Sequence, residues 1–309
     1  MTEVHVVVPD GIDDPARPSG GNAYDRQVCR GFADLGWTVH EHAVPGAWPR
    51  PGAAGHAALT GALRGIPDGA VVLLDGLIAS AAPQALGRHA RRLRQVVLVH
   101  MPLGHRPPDG DAGAVRARER EVLAAAAAVV TTSAWTRRRL GELYALPADR
   151  VHVAEPGVDA ARLAPGTAAG DALLCVAAVT PDKGHDVLLD ALATAADLLV
   201  LASHAETYGM VVTEALARGL PVLAAEVGGV TEALGHGRDG TRPGLLVPPG
   251  DPAALGAALR AWLGDAGLRE RLRRAARERR AHLRPWATTA SAVGRVLAGA
   301  VAELAGAAR

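Results

Sequence analysis

The chain has 309 residues, of which 49% are hydrophobic and 21% are charged. This composition is typical of a folded globular protein, and the length favours two domains over one. The 33 basic and 32 acidic side chains nearly cancel, which argues against nucleic acid as the main partner. The two cysteines are too few for a disulfide framework or a four-ligand zinc site, as in a protein of the reduced cytoplasm.

The first half of the chain alternates between strand and helix patterns. Short β-branched runs occur at residues 4–8, 39–44, 71–74, 96–99, 129–132 and 151–154. Such runs are typical of buried parallel strands, and the segments between them are long enough for crossover helices, as at 22–35 and 115–127. The start, MTEVHVVVPD, lacks the positive charge of a signal peptide and predicts a strand. We therefore predict a doubly wound α/β domain over residues 1–165.

The second half repeats this alternation after an aperiodic segment, LAPGTAAGD, where we place the domain boundary. Strands are predicted at 173–179, 198–202, 222–225 and 245–247, and helices at 186–195 and 209–218. They form a smaller α/β domain over 166–285. The terminal helical region from 251 is broken at Pro285, and the last helix, 286–309, is expected to cross back to the first domain.

Two such domains predict a ligand site in a cleft, at the carboxyl ends of the strands. The longest uncharged apolar run outside the first strand, VLAAAAAVV, is far shorter than the roughly 20 residues that span a bilayer. We expect a soluble, cytoplasmic protein with a small ligand.

The stretch HAETYGMVVTEALARGLPVLA joins a predicted strand to a predicted helix. Gly209 permits a tight turn, which leaves the backbone N–H groups of Gly209, Met210 and Val211 at the positive end of the helix. A diphosphate can bind there. Glu206 precedes the helix and Glu214 lies within it, and eight helical residues span about 12 Å, comparable to the distance from a sugar through a diphosphate to a ribose. The alternative is that both are ordinary solvated acids.

Glu206 and Glu214, followed by GLPVLA and GGVTEAL, resemble the signature of glycosyltransferase family 4, whose members are retaining enzymes of the GT-B fold. Further matches, TPDKGHDVLLDAL, GLLVPPGDPAAL, VVTTSAWTRRRL and EPGVD, cover most of the chain. The resemblance implies two Rossmann-like α/β domains facing across a cleft, the C-terminal one reduced. It also implies that Glu206 contacts the donor sugar and Glu214 the ribose.

Lys183 is the only lysine, because the other 32 of the 33 basic residues are arginines. A lone lysine in such a sequence indicates that a compact ammonium group was needed, as for pairing with a phosphate, although chance survival is the alternative. The resemblance points the same way, since Lys183 matches the diphosphate-binding lysine of the family. Ala178 stands where the family usually has an arginine, so one of two expected phosphate contacts is absent.

The first domain offers a loop and a histidine. The loop Pro18-Ser19-Gly20-Gly21 follows the first strand, with Asn22 as the expected N-cap of the next helix. It is either a phosphate-approaching loop or only a turn. His100 ends the strand VVLVH and is either a satisfied strand-end histidine or, as the resemblance implies, a neighbour of the donor sugar. The resemblance also places Gly20 and Gly21 beside the donor diphosphate and acceptor.

A competing hypothesis is metal-dependent transfer through Asp109 and Asp111, whose carboxylates could hold Mg²⁺ or Mn²⁺. The surrounding RPPDGDAG is typical of a turn, so we expect no metal site there. The arginine-rich tracts 91–94, 137–139 and 269–284 are interpreted as solvated helix faces. Docking of these tracts to a membrane surface, toward a lipid acceptor, is a secondary hypothesis.

The second domain lacks part of the expected pattern. A family 4 donor domain would insert two more strand–helix units before the strand at 198–202, so roughly 60 residues are absent. In a 3-2-1-4-5-6 sheet the skipped strands are 2 and 3, and the rest could still form a contiguous sheet. In other members of the family, the loops of these two units help to hold the nucleotide base, as the resemblance implies.

The sequence therefore predicts a retaining glycosyltransferase that moves a sugar from a nucleoside diphosphate sugar to the hydroxyl of a small-molecule or lipid-linked acceptor. Its expected catalytic residues are His100, Lys183 and Glu206, with no metal and no further cofactor. The alternatives are a catalytically weak nucleotide-sugar binding protein and a sugar-nucleotide epimerase of the same fold. A nicotinamide dehydrogenase is disfavoured, because neither half has G-x-G-x-x-G after its first strand.

Overall fold

The computed structural model describes residues 2–14, 19–105, 111–175 and 196–307. They form two compact units. The first contains Met1–Asp14, Ser19–Glu155 and Trp286–Arg309, and the second contains Pro156–Pro285. The predicted helix 186–195 lies outside the described residues, as do Ala178, Lys183, Pro18 and Asp109.

The first unit is built on a six-stranded sheet in which every neighbouring pair is parallel. Its strands are β1 (Glu3–Pro9), β2 (Thr38–Val44), β3 (Val71–Asp75), β4 (Arg94–Val99), β5 (Ala128–Thr131) and β6 (Val151–Val153). They lie in the order β2-β1-β3-β4-β5-β6, so the direction of winding reverses between β1 and β3. All residues of β3 are buried, as expected for a strand covered by helices on both faces.

Helices cover both faces of this sheet. They are α1 (Gly20–Asp34), α2 (Gly52–Gly65), α3 (Gly76–Ala81), α4 (Pro83–His89), α5 (Ala112–Ala125) and α6 (Ala134–Tyr144), with a 3₁₀ turn at Ala148–Arg150. Successive strand residues alternate between two buried apolar clusters, because neighbouring side chains of a strand point to opposite faces. One cluster includes Val7 and Leu59, and the other includes Val8 and Phe32.

The last helix of the chain, α11 (Trp286–Ala307), belongs to the first unit. Its residues Val293 and Leu297 are fully buried in the same apolar cluster as Phe32 of α1. Close approach of the two helices depends on Gly31, where an added Cβ would lie 2.3 Å from the Cβ of Ala290. The first unit is therefore completed by residues from the far end of the sequence.

The second unit has a parallel four-stranded sheet. Its strands are β7 (Leu173–Cys175), β8 (Leu198–Leu201), β9 (Val222–Ala225) and β10 (Gly244–Val247), in the order β10-β9-β8-β7. The described helices are α7 (Met210–Ala217), α8 (Val230–Leu234), α9 (Pro252–Gly264) and α10 (Ala266–Arg280). The four strands lie side by side, as the sequence predicts for a sheet without the two skipped strand–helix units.

The segment 163–171, where the sequence suggested a boundary, lies within the second unit. The N–H of Ala164 donates to Arg218 O at 2.8 Å, and Gly170 O accepts from the indole N–H of Trp262 at 3.1 Å. The first unit instead ends at Glu155, whose carbonyl accepts from the Thr289 hydroxyl at 2.7 Å. Small, aperiodic residues did not mark a linker here, because specific hydrogen bonds hold them.

Two local predictions need correction. Asn22 is not the N-cap of α1, because Ser19 has the extended backbone of a cap and its Oγ accepts from the N–H of Asn22 at 3.5 Å. The terminal helical region also has a second break, at Asp265, whose carboxylate caps α10 by accepting from Leu268 N at 2.9 Å.

Part of the basic tract 269–284 is not simply solvated. Arg280 donates to Ala217 O at the end of α7 and to Ala161 O, both at 2.7 Å. Arg279 donates to Leu234 O at the end of α8 at 3.2 Å. These guanidinium groups satisfy carbonyls that helix ends leave unpaired, so they stabilise the helices of the site described below. Within the described ranges, no helix has both the length and the apolar character needed to cross a membrane.

Candidate functional site

The second unit presents a helix N-terminus after β8. Gly209 caps α7 with φ of +92° and ψ of 64°, a left-handed conformation that strongly favours glycine. The first N–H groups of a helix have no carbonyl partner within the helix and carry its positive dipole end. The predicted anion-binding residues Gly209, Met210 and Val211 therefore form the cap and first turn of α7, where backbone donors are available.

Glu206 lies in the loop before this helix and is half-buried. Its Oε1 accepts a hydrogen bond from the Ser203 hydroxyl at 3.1 Å. Burial raises the pKa of the Glu206 carboxyl, and the Ser203 hydrogen bond only partly opposes this. A polar ligand that donates hydrogen bonds to this carboxylate would replace part of its lost hydration.

The backbone of this loop rests on two consecutive glycines of the motif GGVTEAL. An added Cβ on Gly228 would lie 1.5 Å from Glu206 O, and one on Gly229 would lie 2.3 Å from Thr207 O. The N–H of Gly229 also donates to Glu206 O at 3.3 Å. In the sequence this motif was only part of a family resemblance, and the structure supplies its physical reason: the glycines let two backbone segments touch beneath Glu206.

Glu214 lies in α7 and is also half-buried. Burial raises the pKa of its carboxyl, Arg218 lowers it, and Asp159 raises it again. Both predicted glutamates therefore differ from fully solvated acids, and they lie just before and within the helix that Gly209 caps. Lys183, the third charged residue of the predicted donor site, lies outside the described residues.

In the first unit, the structure brings His100 together with the glycine loop. His100 follows β4, and its Cδ2 would lie 3.1 Å from a Cβ added at Gly21 in the first turn of α1. The absence of a side chain at Gly21 thus lets the imidazole pack against the helix start. Gly20 begins the same helix, so the site residues predicted for the first domain are neighbours.

Two buried aspartates complete this cluster. His100 Nε2 lies 2.8 Å from Asp25 Oδ1 and 4.0 Å from Asp75 Oδ2. The side chains of both aspartates are 3% exposed, and that of His100 is 18% exposed. Asp75 ends β3 and caps α3, with its Oδ1 accepting from Leu77 N at 2.7 Å and Ile78 N at 3.3 Å.

The electrostatics of the cluster raise the pKa values of His100 and Asp75. Burial lowers the pKa of His100, but the negative charge and hydrogen bond of Asp25 and the charge of Asp75 outweigh it, so the pKa is raised. Burial and the neighbouring Asp25 raise the pKa of Asp75 to about 7, against the lowering effects of His100 and the two amides.

The loop after His100 is anchored by a buried acid. Glu119 of α5 accepts from Leu103 N at 2.9 Å and from Gly104 N at 2.8 Å, and the Tyr144 hydroxyl also donates to it. These bonds fix the backbone three and four residues beyond His100. The anchor limits how far the end of β4 can move.

Asp25 and Asp75 were not among the predicted site residues, although signals for both were present. The strands β3 and β4 are neighbours, with Asp75 opposite Leu98, so Asp75 and His100 end adjacent strands at one edge. Asp25 lies four residues after Gly21, which places both on one face of α1. The strand-end argument that selected His100 also applies to Asp75.

The aspartates and His100 are also the one group among the described residues with three potential metal-ligand atoms within 4.8 Å of one another. The competing metal hypothesis concerned other residues. Asp111 caps α5 by accepting from Gly113 N at 2.8 Å and Ala114 N at 3.2 Å, which agrees with local turn chemistry. Asp109 and Gly110 lie outside the described residues.

The raised pKa values predict how stability depends on pH. Asp75 and His100 both have a higher pKa in the folded chain, so folding favours their protonated forms. For Asp75, that stabilisation is lost as pH rises through about 7. Asp75→Asn keeps the cap of α3, since asparagine caps as well as aspartate. We expect the loss of unfolding free energy between about pH 5 and pH 8 to be smaller in this variant by roughly 1–3 kcal/mol.

Urea unfolding across this pH range measures the difference. Asp68→Asn is the matched control, because Asp68 lies in the same unit but its side chain is 81% exposed. A pH dependence identical in Asp75→Asn and wild type would contradict the assignment of Asp75 as the titrating carboxyl.

Comparison with known proteins places these residues in context. The family model described as Glycosyltransferase Family 4 matches residues 2–162, and the one described as Glycosyl transferases group 1 matches residues 189–279. The chain is 31% identical over 258 residues to a D-inositol 3-phosphate glycosyltransferase of Jonesia denitrificans, covering 59% of this chain and 60% of that one. It is 40% identical over 112 residues to a glycogen synthase of Mycobacterium tuberculosis, covering 36% of this chain and 26% of that one. The matched part thus spans less than two thirds of these curated relatives.

Solved structures share the fold at low sequence identity. A sucrose-phosphate synthase of Thermosynechococcus elongatus superposes with a TM-score of 0.71 at 18% identity, covering 98% of this chain and 100% of that one. Anabaena HepE, solved with UDP-glucose, superposes with a TM-score of 0.67 at 15% identity, covering 97% of this chain and 100% of that one. The fold is α/β of the GT-B type, with a parallel sheet in each unit. Because the family 4 model spans more than half of the residues, the chain belongs to glycosyltransferase family 4.

Proposed function

We propose that this chain transfers a glycosyl group, with retention, from a nucleoside diphosphate sugar to an acceptor hydroxyl. The observation that carries the proposal is the start of α7, where the left-handed Gly209 caps a helix between two half-buried glutamates, Glu206 and Glu214. The first N–H groups of a helix have no carbonyl partner within it. Membership in family 4 supports it. So does the printed ligand of the structural neighbour HepE, UDP-glucose.

In this proposal the diphosphate binds the N–H groups of Gly209, Met210 and Val211 together with the ammonium of Lys183. Glu206 accepts hydrogen bonds from hydroxyls of the donor sugar. Glu214 accepts them from the ribose.

The first unit is assigned the roles that the family resemblance implies. His100 lies beside the donor sugar, and Gly20 and Gly21 lie beside the diphosphate and the acceptor. The acceptor is a small molecule or a lipid-linked hydroxyl, and the relatives named for D-inositol 3-phosphate make a polyol phosphate the first one to assay.

The reaction breaks the bond between sugar C1 and the diphosphate oxygen while the acceptor oxygen bonds to C1 on the same face. The acceptor proton passes to the departing diphosphate. Negative charge grows on the leaving group, and Lys183 with the α7 amides stabilises it where it develops. This route assigns no step to a metal ion or to a protein nucleophile.

A thermal-shift panel of nucleotides tests the donor site. A ligand at 100 times its dissociation constant adds about 2.7 kcal/mol of stability, so one of UDP-, ADP-, GDP- or dTDP-glucose should raise the melting temperature clearly. The matching nucleoside monophosphate should do less and free glucose nothing, because the proposed site holds a diphosphate. No shift with any sugar nucleotide contradicts the proposal.

Glu214→Gln is the variant that separates binding from folding. Loss of a charged hydrogen-bond acceptor should weaken the donor about 10- to 100-fold. Folding raises the pKa of Glu214, so ionisation of this carboxyl near neutral pH destabilises the folded state. Glutamine has no such ionisation, so the unliganded variant should melt no lower than wild type at pH 7–8. A glutamate with only a structural role would instead lower the melting temperature and leave donor affinity unchanged.

A second candidate, a nucleotide-sugar binding protein with weak turnover, is favoured by Ala178, which replaces the usual second cation. Incubation of the selected donor with and without acceptors distinguishes the possibilities. Release of the nucleoside diphosphate only with an acceptor supports transfer. Conversion of the donor sugar alone supports an epimerase, and binding without consumption supports the weak-turnover candidate.

A further inference from the structure

Asp25 is a buried carboxylate, and one of its oxygens is hydrogen-bonded to His100. The residue is 4% exposed, and Oδ1 lies 2.8 Å from His100 Nε2. Its other oxygen, Oδ2, is buried without a hydrogen-bond partner among the described residues. A carboxylate buried in this way is costly unless a positive charge lies next to it. The imidazole of His100 is the group placed to carry that charge.

Asp75 places a second carboxyl group near the same ring nitrogen. Its Oδ1 accepts the two amides of α3, and its Oδ2 lies 4.0 Å from His100 Nε2. Within the described chain, the ionisable groups that face the ring are therefore Asp25 and Tyr24 of α1 and Asp75 at the end of β3. The Tyr24 hydroxyl donates to Ala154 O at 2.9 Å, so it does not compete for His100.

The ring is also held sterically. Gly21 lies against Cδ2 and Cγ, and the Tyr24 ring meets the imidazole edge to face at a centroid distance of 5.2 Å. A carboxylate only accepts hydrogen bonds, so Nε2 must carry a proton to bond Asp25. Nδ1 is then the nitrogen left to meet a ligand, as a donor when the ring is an imidazolium.

We propose that Asp25 and Asp75 are positioning residues that hold His100 as an imidazolium through Nε2, so that Nδ1–H is presented to an oxygen of the sugar nucleotide. The inference rests on the proposed function, because it takes the sugar nucleotide as the ligand. The oxygen is that of a sugar hydroxyl or a phosphate, either of which accepts a charged hydrogen bond. The aspartates act only through His100 and touch no substrate.

Asp25→Asn tests this with a nearly isosteric side chain. The proton on His100 is read directly by NMR titration of its imidazole, assigned as the signal missing from His100→Gln. Without the Asp25 charge, the titration midpoint of His100 should move to lower pH. The high-pH limb of kcat/KM should move in the same direction, and kcat should fall roughly 10- to 100-fold through loss of orientation. Asp68→Asn, the exposed control, should change none of these.

Asp75→Asn provides the second variant if Asp25→Asn does not fold, because it removes a carboxyl group that can ionise and keeps the α3 cap. It should shift the His100 midpoint in the same direction.

The outcomes separate this inference from the proposed function. An unchanged His100 midpoint in both aspartate variants overturns the inference, whatever the activity. A shifted midpoint in a protein that neither binds nor consumes any sugar nucleotide rejects the proposed function, and with it the role toward the donor. Stabilisation of wild type by Zn²⁺ or Mn²⁺ that is lost in Asp25→Asn also overturns the inference, in favour of a metal site.

Discussion

Replacing Gly228 with alanine is expected to destabilise the second unit by about 2–5 kcal/mol. Gly228 has a φ of +54°, and its added Cβ would lie 1.5 Å from the carbonyl oxygen of Glu206 and 2.7 Å from the carbonyl carbon. These are backbone atoms, so no side-chain rotation relieves the overlap. The loop that carries Glu206 has to move, and donor binding should weaken together with stability.

Gly240→Ala is the matched control for this variant. Gly240 also has a positive φ, +81°, but an added Cβ there would meet no atom within 4 Å. It therefore measures the backbone penalty alone, about 1–2 kcal/mol. Urea unfolding of both variants gives the contact contribution by difference. Equal destabilisation by the two substitutions would show that the overlap beneath Glu206 is absorbed without cost.

Lys183→Ala is expected to reduce kcat about 100- to 1,000-fold, the effect of removing one donor from a site of developing negative charge. The loss should exceed the loss in donor affinity, because the charge on the leaving diphosphate grows in the transition state. Lys183→Arg keeps the charge but changes its shape and reach, so it should recover only part of the rate. Unchanged transfer by Lys183→Ala would remove this residue from the mechanism.

The composition of the chain allows a direct test of the same assignment. Since Lys183 is the only lysine, an amine-selective reagent has two targets, this side chain and the α-amino group. The selected sugar nucleotide should slow labelling of Lys183 and leave labelling of the α-amino group unchanged, as read by mass spectrometry of the two peptides. Equal labelling of Lys183 with and without saturating donor would argue against contact with the diphosphate.

The fold was largely predictable because parallel strands buried on both faces are continuous β-branched runs. The predicted runs at 71–74 and 222–225 correspond to β3 and β9, within one residue at each end. Element ends were less predictable, because they depend on individual hydrogen bonds. Ser19 and not Asn22 caps α1, and the segment 163–171 is held by partners such as Trp262 that lie far away in sequence.

The candidate site was predictable where chemistry resides in a short motif. Gly209 with its two glutamates and the His100 strand end belong to this class, and their roles stay predictions until ligands are tested. Asp25 and Asp75 became visible only when α1, β3 and β4 were placed together. The function of Gly228 was also hidden, because its sequence neighbours give no sign that Glu206 lies against it.

The helix α11 determines the order in which the two units can complete their cores during translation. Since α11 supplies Val293 and Leu297 to a cluster otherwise formed by residues before 155, the first unit cannot finish its core until the ribosome has passed residue 297. The described residues of the second unit all precede residue 286, so they are available earlier. Of the two units, the one whose synthesis starts first therefore matures last, and a fragment ending near residue 155 would leave the apolar face of α1 uncovered.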